Sequence, residues 1–273
     1  MSDLPCGLHH GAKPVIYADD TIVLLTAKND EELKFKISCT LDYMIGWFSA
    51  KGLALNMEKT NIMKFTSSYR QNEAFQTIYQ KKIKIGINST KFLGLELDKN
   101  VSWKNHVQTN LPELSSACYL ARRMHPCCKQ NTLKIIYFAY FHAVTEYVII
   151  FWGDSVVSKR NFQQQKRIIR IMTGSASKIS FRALFKKLEI LTLTSQYILS
   201  LMKFLSSSLE TYKFNSLVHN INTRHKLKLH KPAARLTMYQ RSVYYNSINI
   251  YNKLPDELAL LVQNRKCFLL QLK

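Results

Sequence analysis

The sequence predicts an α+β chain in which short antiparallel strands come first and helices follow. Apolar residues alternate with period two in the first hundred residues, most clearly at Ile83, Ile85 and Ile87 between Lys82, Lys84 and Gly86. From Trp103 onward that alternation gives way to helical spacing. The chain has 273 residues, 47% of them apolar. That is enough to bury a core in one large or two small domains, and it excludes a disordered tail.

The first element is a hairpin over residues 14–26. Lys13-Pro14-Val15-Ile16 and Thr21-Ile22-Val23-Leu24-Leu25 are apolar, β-branched runs, and Tyr17-Ala18-Asp19-Asp20 lies between them. A helix follows, with Asn29 as its cap and Glu32 at the reciprocal position of a capping box. Leu33, Ile37, Leu41, Met44, Ile45 and Phe48 make its apolar stripe, and Gly52 stops it. Next come short strands. Leu93, Leu95 and Leu97 repeat the alternation of the isoleucines across a turn at Asn88-Ser89-Thr90. Helices are predicted over 104–123, 130–150, 159–172, 180–188 and 192–209. Pro112 inside the first of these predicts a kink or a break. Residues 210–240 are polar, basic and weakly periodic, which predicts an irregular arm, and a last helical pair occupies 241–253 and 256–272.

Lys and Arg number 39 against 18 Asp and Glu, a net charge of +21. Such an excess points to a polyanion, nucleic acid before a membrane surface, with a solvated basic face as the alternative. The basic residues are spread along the chain, as suits a surface that tracks a phosphate backbone. None of the six cysteines, Cys6, Cys39, Cys118, Cys127, Cys128 and Cys267, forms a C-x-x-C pair or completes a zinc spacing with histidine. Free, mostly buried thiols in a reducing compartment are expected. The chain opens without a signal-peptide pattern, and its longest apolar stretch, 144–152, contains Glu146 and is too short for a bilayer. An intracellular location is expected.

Chemistry concentrates first at Asp19 and Asp20. A turn is one of few places where adjacent carboxylates can both leave a sheet, and such a pair suits divalent cations and phosphoryl transfer. Taken alone, the tetrapeptide is equally an Asp-Asp turn selected for turn chemistry. The residues downstream separate these readings. Gly52-Leu53-Ala54-Leu55-Asn56-Met57-Glu58-Lys59-Thr60 is followed by Phe92-Leu93-Gly94-Leu95-Glu96-Leu97-Asp98 and by Ser102-Trp103-Lys104-Asn105-His106. Phe151-Trp152-Gly153, Gln165-Lys166-Arg167 and Ile250-Tyr251-Asn252-Lys253-Leu254-Pro255 come later.

This ordered set resembles the reverse transcriptases of non-LTR retrotransposons, especially the jockey-like elements of insects, over essentially all 273 residues. The resemblance implies a partial polymerase palm with a primer-grip hairpin over residues 1–100. It implies a helical thumb over 101–210, and a basic arm with C-terminal helices over 211–273. It makes Asp19 and Asp20 catalytic metal ligands, Asp19 the principal one, in a two-magnesium centre for nucleotidyl transfer. Tyr17, Ala18, Lys59, Phe92, Leu93 and Gly94 would lie near the primer or nucleotide. Gly94 would let the backbone approach the primer, with a ligand-free bulge as the alternative. Tyr17 is equally read as core-facing, and Lys59 as a solvated loop residue.

Arg122, Arg123, Lys166, Arg167 and Arg170 are the candidates for phosphate contact. Trp103, Trp152, Tyr137, Phe138, Tyr140 and Phe141 are expected mostly in the core. The implied partners are an RNA template with a DNA primer, or an RNA–DNA hybrid, and no membrane. The family's fingers, its further palm aspartate and its Gln-Gly-x-Pro-Gln-Gly loop lie before the acidic turn, where this sequence has 16 residues. The expectation is therefore the carboxy-terminal part of a polymerase, inactive in DNA synthesis by itself. The alternative is a non-catalytic, element-derived module that binds nucleic acid. Val148 and Ser247 stand where the family usually has glycine.

Overall fold

The computed structural model describes residue 8 and residues 11–18, 20–65, 75–79, 82–175, 179–219 and 227–272. It is a mixture of helices and small antiparallel sheets, and it divides into two compact units, residues 1–90 and 91–273.

In the first unit, β1 (Lys13–Tyr17) pairs with β2 (Asp20–Leu24) in a register running from Lys13↔Leu24 to Tyr17↔Asp20. Helix α1 (Asp30–Ala50) starts where its capping residues require. Asn29 Oδ1 accepts from the Glu32 amide at 2.8 Å. The Glu32 carboxylate takes the Lys28 amide, also at 2.8 Å, so the reciprocal half of the box closes one residue earlier than expected. Ile37, Leu41, Met44 and Phe48 are buried, and Phe75 packs against the first two. Gly52, at φ +71°, lets the chain turn back so that the Leu53 amide reaches the Phe48 carbonyl at 2.8 Å. Strands β3 (Gln76–Tyr79) and β4 (Lys82–Ile85) form a second hairpin.

The strand containing Ile83 and Ile85 thus pairs backward with β3. It does not pair forward with the leucines through a turn at Asn88-Ser89-Thr90. Those leucines belong to another hairpin, β5 (Ser89–Phe92) and β6 (Leu95–Asp98), which turns at Leu93-Gly94. Leu93 at φ +46° and Gly94 at φ +78° supply the two left-handed residues of a tight two-residue connection, which Asn88-Ser89-Thr90 does not.

From β6 the chain wraps around one carboxylate. Asp98 is buried and accepts from the amides of Asn100, Ser102 and Trp103 and from the Ser102 hydroxyl, all at 3.0–3.1 Å. Residues that read as the end of one motif and the start of the next are therefore a single hydrogen-bonded loop, and it launches α2 (Lys104–Met124). Pro112 neither ends nor interrupts α2. It sits on the exposed face, where a carbonyl lacking its amide partner meets water.

The helix expected over 130–150 is broken twice. It runs as α3 (Gln130–Ile136), a π-helical segment (Tyr137–His142) and α4 (Ala143–Glu146), stops, and resumes as α5 (Ile149–Trp152). In the wider π turn Tyr137 and Phe141 stack with centroids 5.5 Å apart and planes at 16°. The stop falls at Val148, whose φ is +46°. The glycine that the resemblance places there would adopt this backbone freely; a β-branched side chain does so only under strain.

Helices α6 (Ser158–Thr173), α7 (Phe181–Leu188) and α8 (Leu193–Ser207) follow. After them come α9 (Asn215–His219), α10 (Thr237–Gln240) and α11 (Val243–Tyr251). The final pair, α12 (Asp256–Leu260) and α13 (Arg265–Gln271), is separated by a 3₁₀ turn where one helix was expected.

Two apolar clusters hold this unit. Leu114, Leu133, Tyr137, Phe141, Ile168 and Leu184 belong to one; Val107, Trp152, Tyr197, Leu201, Ile248 and Phe268 belong to the other. Fully burying a side chain of this kind contributes about 1.5–3 kcal/mol, so each cluster outweighs the strain of any single backbone position. Trp103, Trp152, Tyr137 and Phe141 are core residues as expected, but Phe138 and Tyr140 are exposed because they fall on the outer face of the π segment. Among the described cysteines only Cys118 is buried; Cys127 and Cys267 are exposed, contrary to the expectation of mostly buried thiols. Among the described residues no helix is long and apolar enough to cross a membrane.

Buried in the second cluster, His106 packs its ring 5.9 Å from that of Trp152. Its Nε2 lies 3.2 Å from the Asn110 amide nitrogen, which can only donate, so this ring nitrogen is an unprotonated acceptor. Burial holds the His106 pKa below its ordinary value of 6.5. Between the two values the unfolded chain binds more protons, so stability rises with pH through that window and falls on acidification below about 6.5. We expect the thermal midpoint to drop from pH 7 to pH 5, and His106→Gln to flatten that drop. An identical pH profile in wild type and variant would remove His106 as its source.

Candidate nucleic-acid interface

The acidic turn and the basic helices lie in different units. In the first unit the β1–β2 register ends at the pair Tyr17↔Asp20. Asp19 lies outside the described residues. Asp20 opens β2 with its side chain exposed, and Ala18 has φ +51°. Tyr17 is 62% exposed, which excludes the core-facing alternative. Lys59 occupies a separate turn built on Asn56, whose Oδ1 accepts from the amides of Glu58 and Lys59 at 3.0 Å; its side chain is exposed.

Phe92, Leu93 and Gly94 come together at the β5–β6 turn, with Phe92 half-buried and Leu93 exposed. Gly94 has a tenant that the sequence did not reveal. A Cβ there would meet the Tyr147 ring at 3.4 Å, and the Tyr147 hydroxyl donates to the Leu93 carbonyl. Gly94 thus admits an aromatic side chain of its own unit as well as supplying the left-handed turn.

Charge divides unequally. Residues 91–273 carry 28 Lys and Arg against 9 Asp and Glu, so +19 of the total +21 belongs to the second unit. Between Leu114 and Leu188 the imbalance is 13 against 2. Helix α6 contributes Lys159, Arg160, Lys166, Arg167 and Arg170 with no acidic residue. Helix α6 packs on both α2 and α7.

Arg122, from the last turn of α2, and Arg170, from the last turn of α6, line one depression of about 340 Å³ together with His125, Ile171, Gly174 and Ser175. Gly174 ends α6 at φ +58°, and the His125 ring fills the space beside it. Cations in these last turns complement the helix dipoles, a contribution of about 0.3–1 kcal/mol. Arg122 and Arg170 come from two different helices, and His125 joins them from just past the end of α2. Arg122 and Arg167 also flank Cys118. Burial pushes its thiol up to about 11, against the opposing pull of these two guanidinium groups.

Beside this depression the surface turns aromatic. The Arg170 guanidinium lies 4.1 Å from the centre of the Phe181 ring. Lys166 Nζ lies 4.4 Å from that of Phe162 and 5.2 Å from that of Phe181. Cation–π contacts of this kind are each worth about 0.5–1 kcal/mol at exposed sites. Phe162, Phe181 and Phe185 line an open-sided pocket of about 560 Å³ with Arg182, Lys186 and Glu189 on its rim. The Phe162 and Phe185 rings are stacked with centroids 6.4 Å apart.

Of the five basic residues singled out from the sequence, Arg122 and Arg170 line one depression, and Lys166 and Arg170 lie over rings that line the other. Arg167 is exposed on α6, and Arg123 is exposed on α2. His125, Phe162, Phe181, Arg182, Phe185 and Lys186 were not anticipated. The repeat Phe181-Arg182 and Phe185-Lys186, four residues apart on one helix, was the available signal. No protein-family model, curated protein or solved structure matches the chain.

Proposed function

We propose that the chain is a portion of a reverse transcriptase of the non-LTR retrotransposon kind, and that these 273 residues by themselves bind nucleic acid without copying it. The observation that carries the binding is the gathering of +19 charge units on the second unit, with converging arginines on α2 and α6. The ordered motifs support the family reading, as does Asp20 at the end of an antiparallel hairpin. In this reading the partner is an RNA–DNA hybrid or a primed RNA template, held through its phosphates by Arg122, Arg123, Lys166, Arg167 and Arg170.

Magnesium would supply the electrostatic stabilisation of phosphoryl transfer in the complete family enzyme. Hard cations take six or more oxygen ligands. Of the pair expected to hold them, Asp20 alone is described, and among the described residues no three His, Cys, Asp or Glu side chains cluster closely enough to hold a metal ion. In this reading Asp19 and Asp20 would be the residues that hold magnesium.

Binding to a labelled RNA–DNA hybrid is expected to weaken with salt, log K falling by about 0.9 per tenfold salt for each phosphate neutralised. Arg122→Ala and Arg167→Ala should each reduce that slope by about one such increment. Salt-independent or undetectable binding would overturn the binding role. Magnesium-dependent primer extension by the purified chain would overturn its restriction to binding.

A further inference from the structure

We infer that the surface formed by α6, α7 and the end of α2 is a track for a single strand, with one unstacked base in the Phe162–Phe181–Phe185 pocket and a neighbouring phosphate at Arg122, His125 and Arg170. This rests on the reading of the second unit as a nucleic-acid binder and specifies which form of nucleic acid its aromatic surface takes.

Three observations carry it. The pocket of about 560 Å³ falls in the size range of small-molecule sites, and ring carbons form much of its wall. Its rim carries Arg182 and Lys186, and Lys166 and Arg170 lie over the Phe162 and Phe181 rings, so an entering group meets aromatic faces and cations together. Arg170 links the two depressions: it lies over the Phe181 ring, which lines the aromatic pocket, and itself lines the other depression with Arg122 and His125.

A strand of alternating flat bases and anionic phosphates is complementary to that alternation of rings and cations. A duplex is not, because its base faces are stacked out of reach and only its phosphates can engage. An apolar peptide segment would satisfy the rings and leave the cations unmatched. Glu189, also on the rim, is drawn toward Lys134 at 3.5 Å, which offsets its repulsion of a phosphate.

The experiment uses the full chain and three ligands: a uridine oligonucleotide, the same strand with abasic sites in place of bases, and an RNA–DNA hybrid of equal length. Stacking of one base is worth about 1–3 kcal/mol, or roughly five- to 150-fold in affinity. Phe181 is only partly buried, so Phe181→Ala is expected to fold; it should weaken binding of the uridine strand by at least fivefold and leave the hybrid within twofold. The wild-type protein should bind the abasic strand at least fivefold more weakly than the intact one. This second comparison needs no mutation and stands even if the variant unfolds.

Equal affinity of wild type for intact and abasic strands overturns the base pocket while leaving the binding role intact. So does a loss that is the same on strand and hybrid. Failure of the wild type to bind any of the three overturns the binding role and the track together.

Discussion

Gly153→Ala is expected to lower the thermal unfolding midpoint by about 4–12 °C. Gly153 follows the fully buried Trp152, and a Cβ at this position would collide with the Tyr197 ring at Cδ2 and lie 2.8 Å from the Ile149 carbonyl oxygen. Neither neighbour yields easily. The Tyr197 ring is buried in the second apolar cluster and its hydroxyl accepts from the Asn246 amide at 3.2 Å, while the Ile149 oxygen is backbone within the same turn. Overpacking of a formed core costs about 1–3 kcal/mol, and more where backbone must shift. Replacing glycine by alanine in a helical conformation returns at most about 1 kcal/mol. A net loss of roughly 2–3 kcal/mol corresponds to the stated shift for a unit of this size. Calorimetry of the variant checks it, and Tyr197→Leu in the Gly153→Ala background should recover part of the loss because the two sites share one contact. A variant that melts within a degree of wild type would mean that the ring moves aside freely.

Gln165→Leu should be more costly still, by about 3–5 kcal/mol. Gln165 is buried on α6 and makes three hydrogen bonds. Its Nε2 donates to the Tyr137 hydroxyl at 2.9 Å and to the Leu191 carbonyl at 3.0 Å, and its Oε1 accepts from the Leu193 amide at 2.8 Å. One side chain therefore ties the π segment to the entry of α8. Leucine fills a similar volume but strands three buried polar groups, each at about 1–3 kcal/mol. The Tyr137 hydroxyl cannot ease the loss by ionising, since burial pushes its pKa up to about 12. Chemical denaturation should show a lower midpoint with an unchanged slope. Adding Tyr137→Phe should recover about 1 kcal/mol by removing one stranded group. A variant as stable as wild type would show that water replaces all three bonds.

These two residues mark the boundary of what the sequence discloses. Local rules located α1 from Asn29, Glu32 and the stripe ending at Phe48, and located α2 and α6 to within a residue or two at each end. They failed where a contact spans the chain. Gly153 meets a ring 44 positions later, and Gln165, with Asn161 one of two polar residues on the buried face of α6, reaches Tyr137 and Leu193 on other elements. The polar run Asn88-Ser89-Thr90 has the composition of a turn, but the turn falls at Leu93-Gly94, where two residues adopt the left-handed backbone that a tight connection needs.

The breaks at Tyr137–His142 and Val148 leave an apolar pattern intact, so a continuous helix was the expectation. At the candidate interface the basic residues of α6 were legible because charge is written into the sequence. Their meeting with Arg122, 48 positions before Arg170, was not. Nor was the aromatic pocket, which exists only once α7 folds against α6.

The unequal division of charge also governs time. A field from 28 basic and 9 acidic side chains acts on a polyanion before any contact forms, and it raises the encounter rate above that of a neutral surface. The first unit, with nearly balanced charge, contributes little to that attraction. In the proposed binding role, collisions with nucleic acid would begin preferentially on the helices of the second unit. Salt, which shortens the reach of the field to about 8–10 Å under physiological conditions, slows arrival as well as loosening the complex.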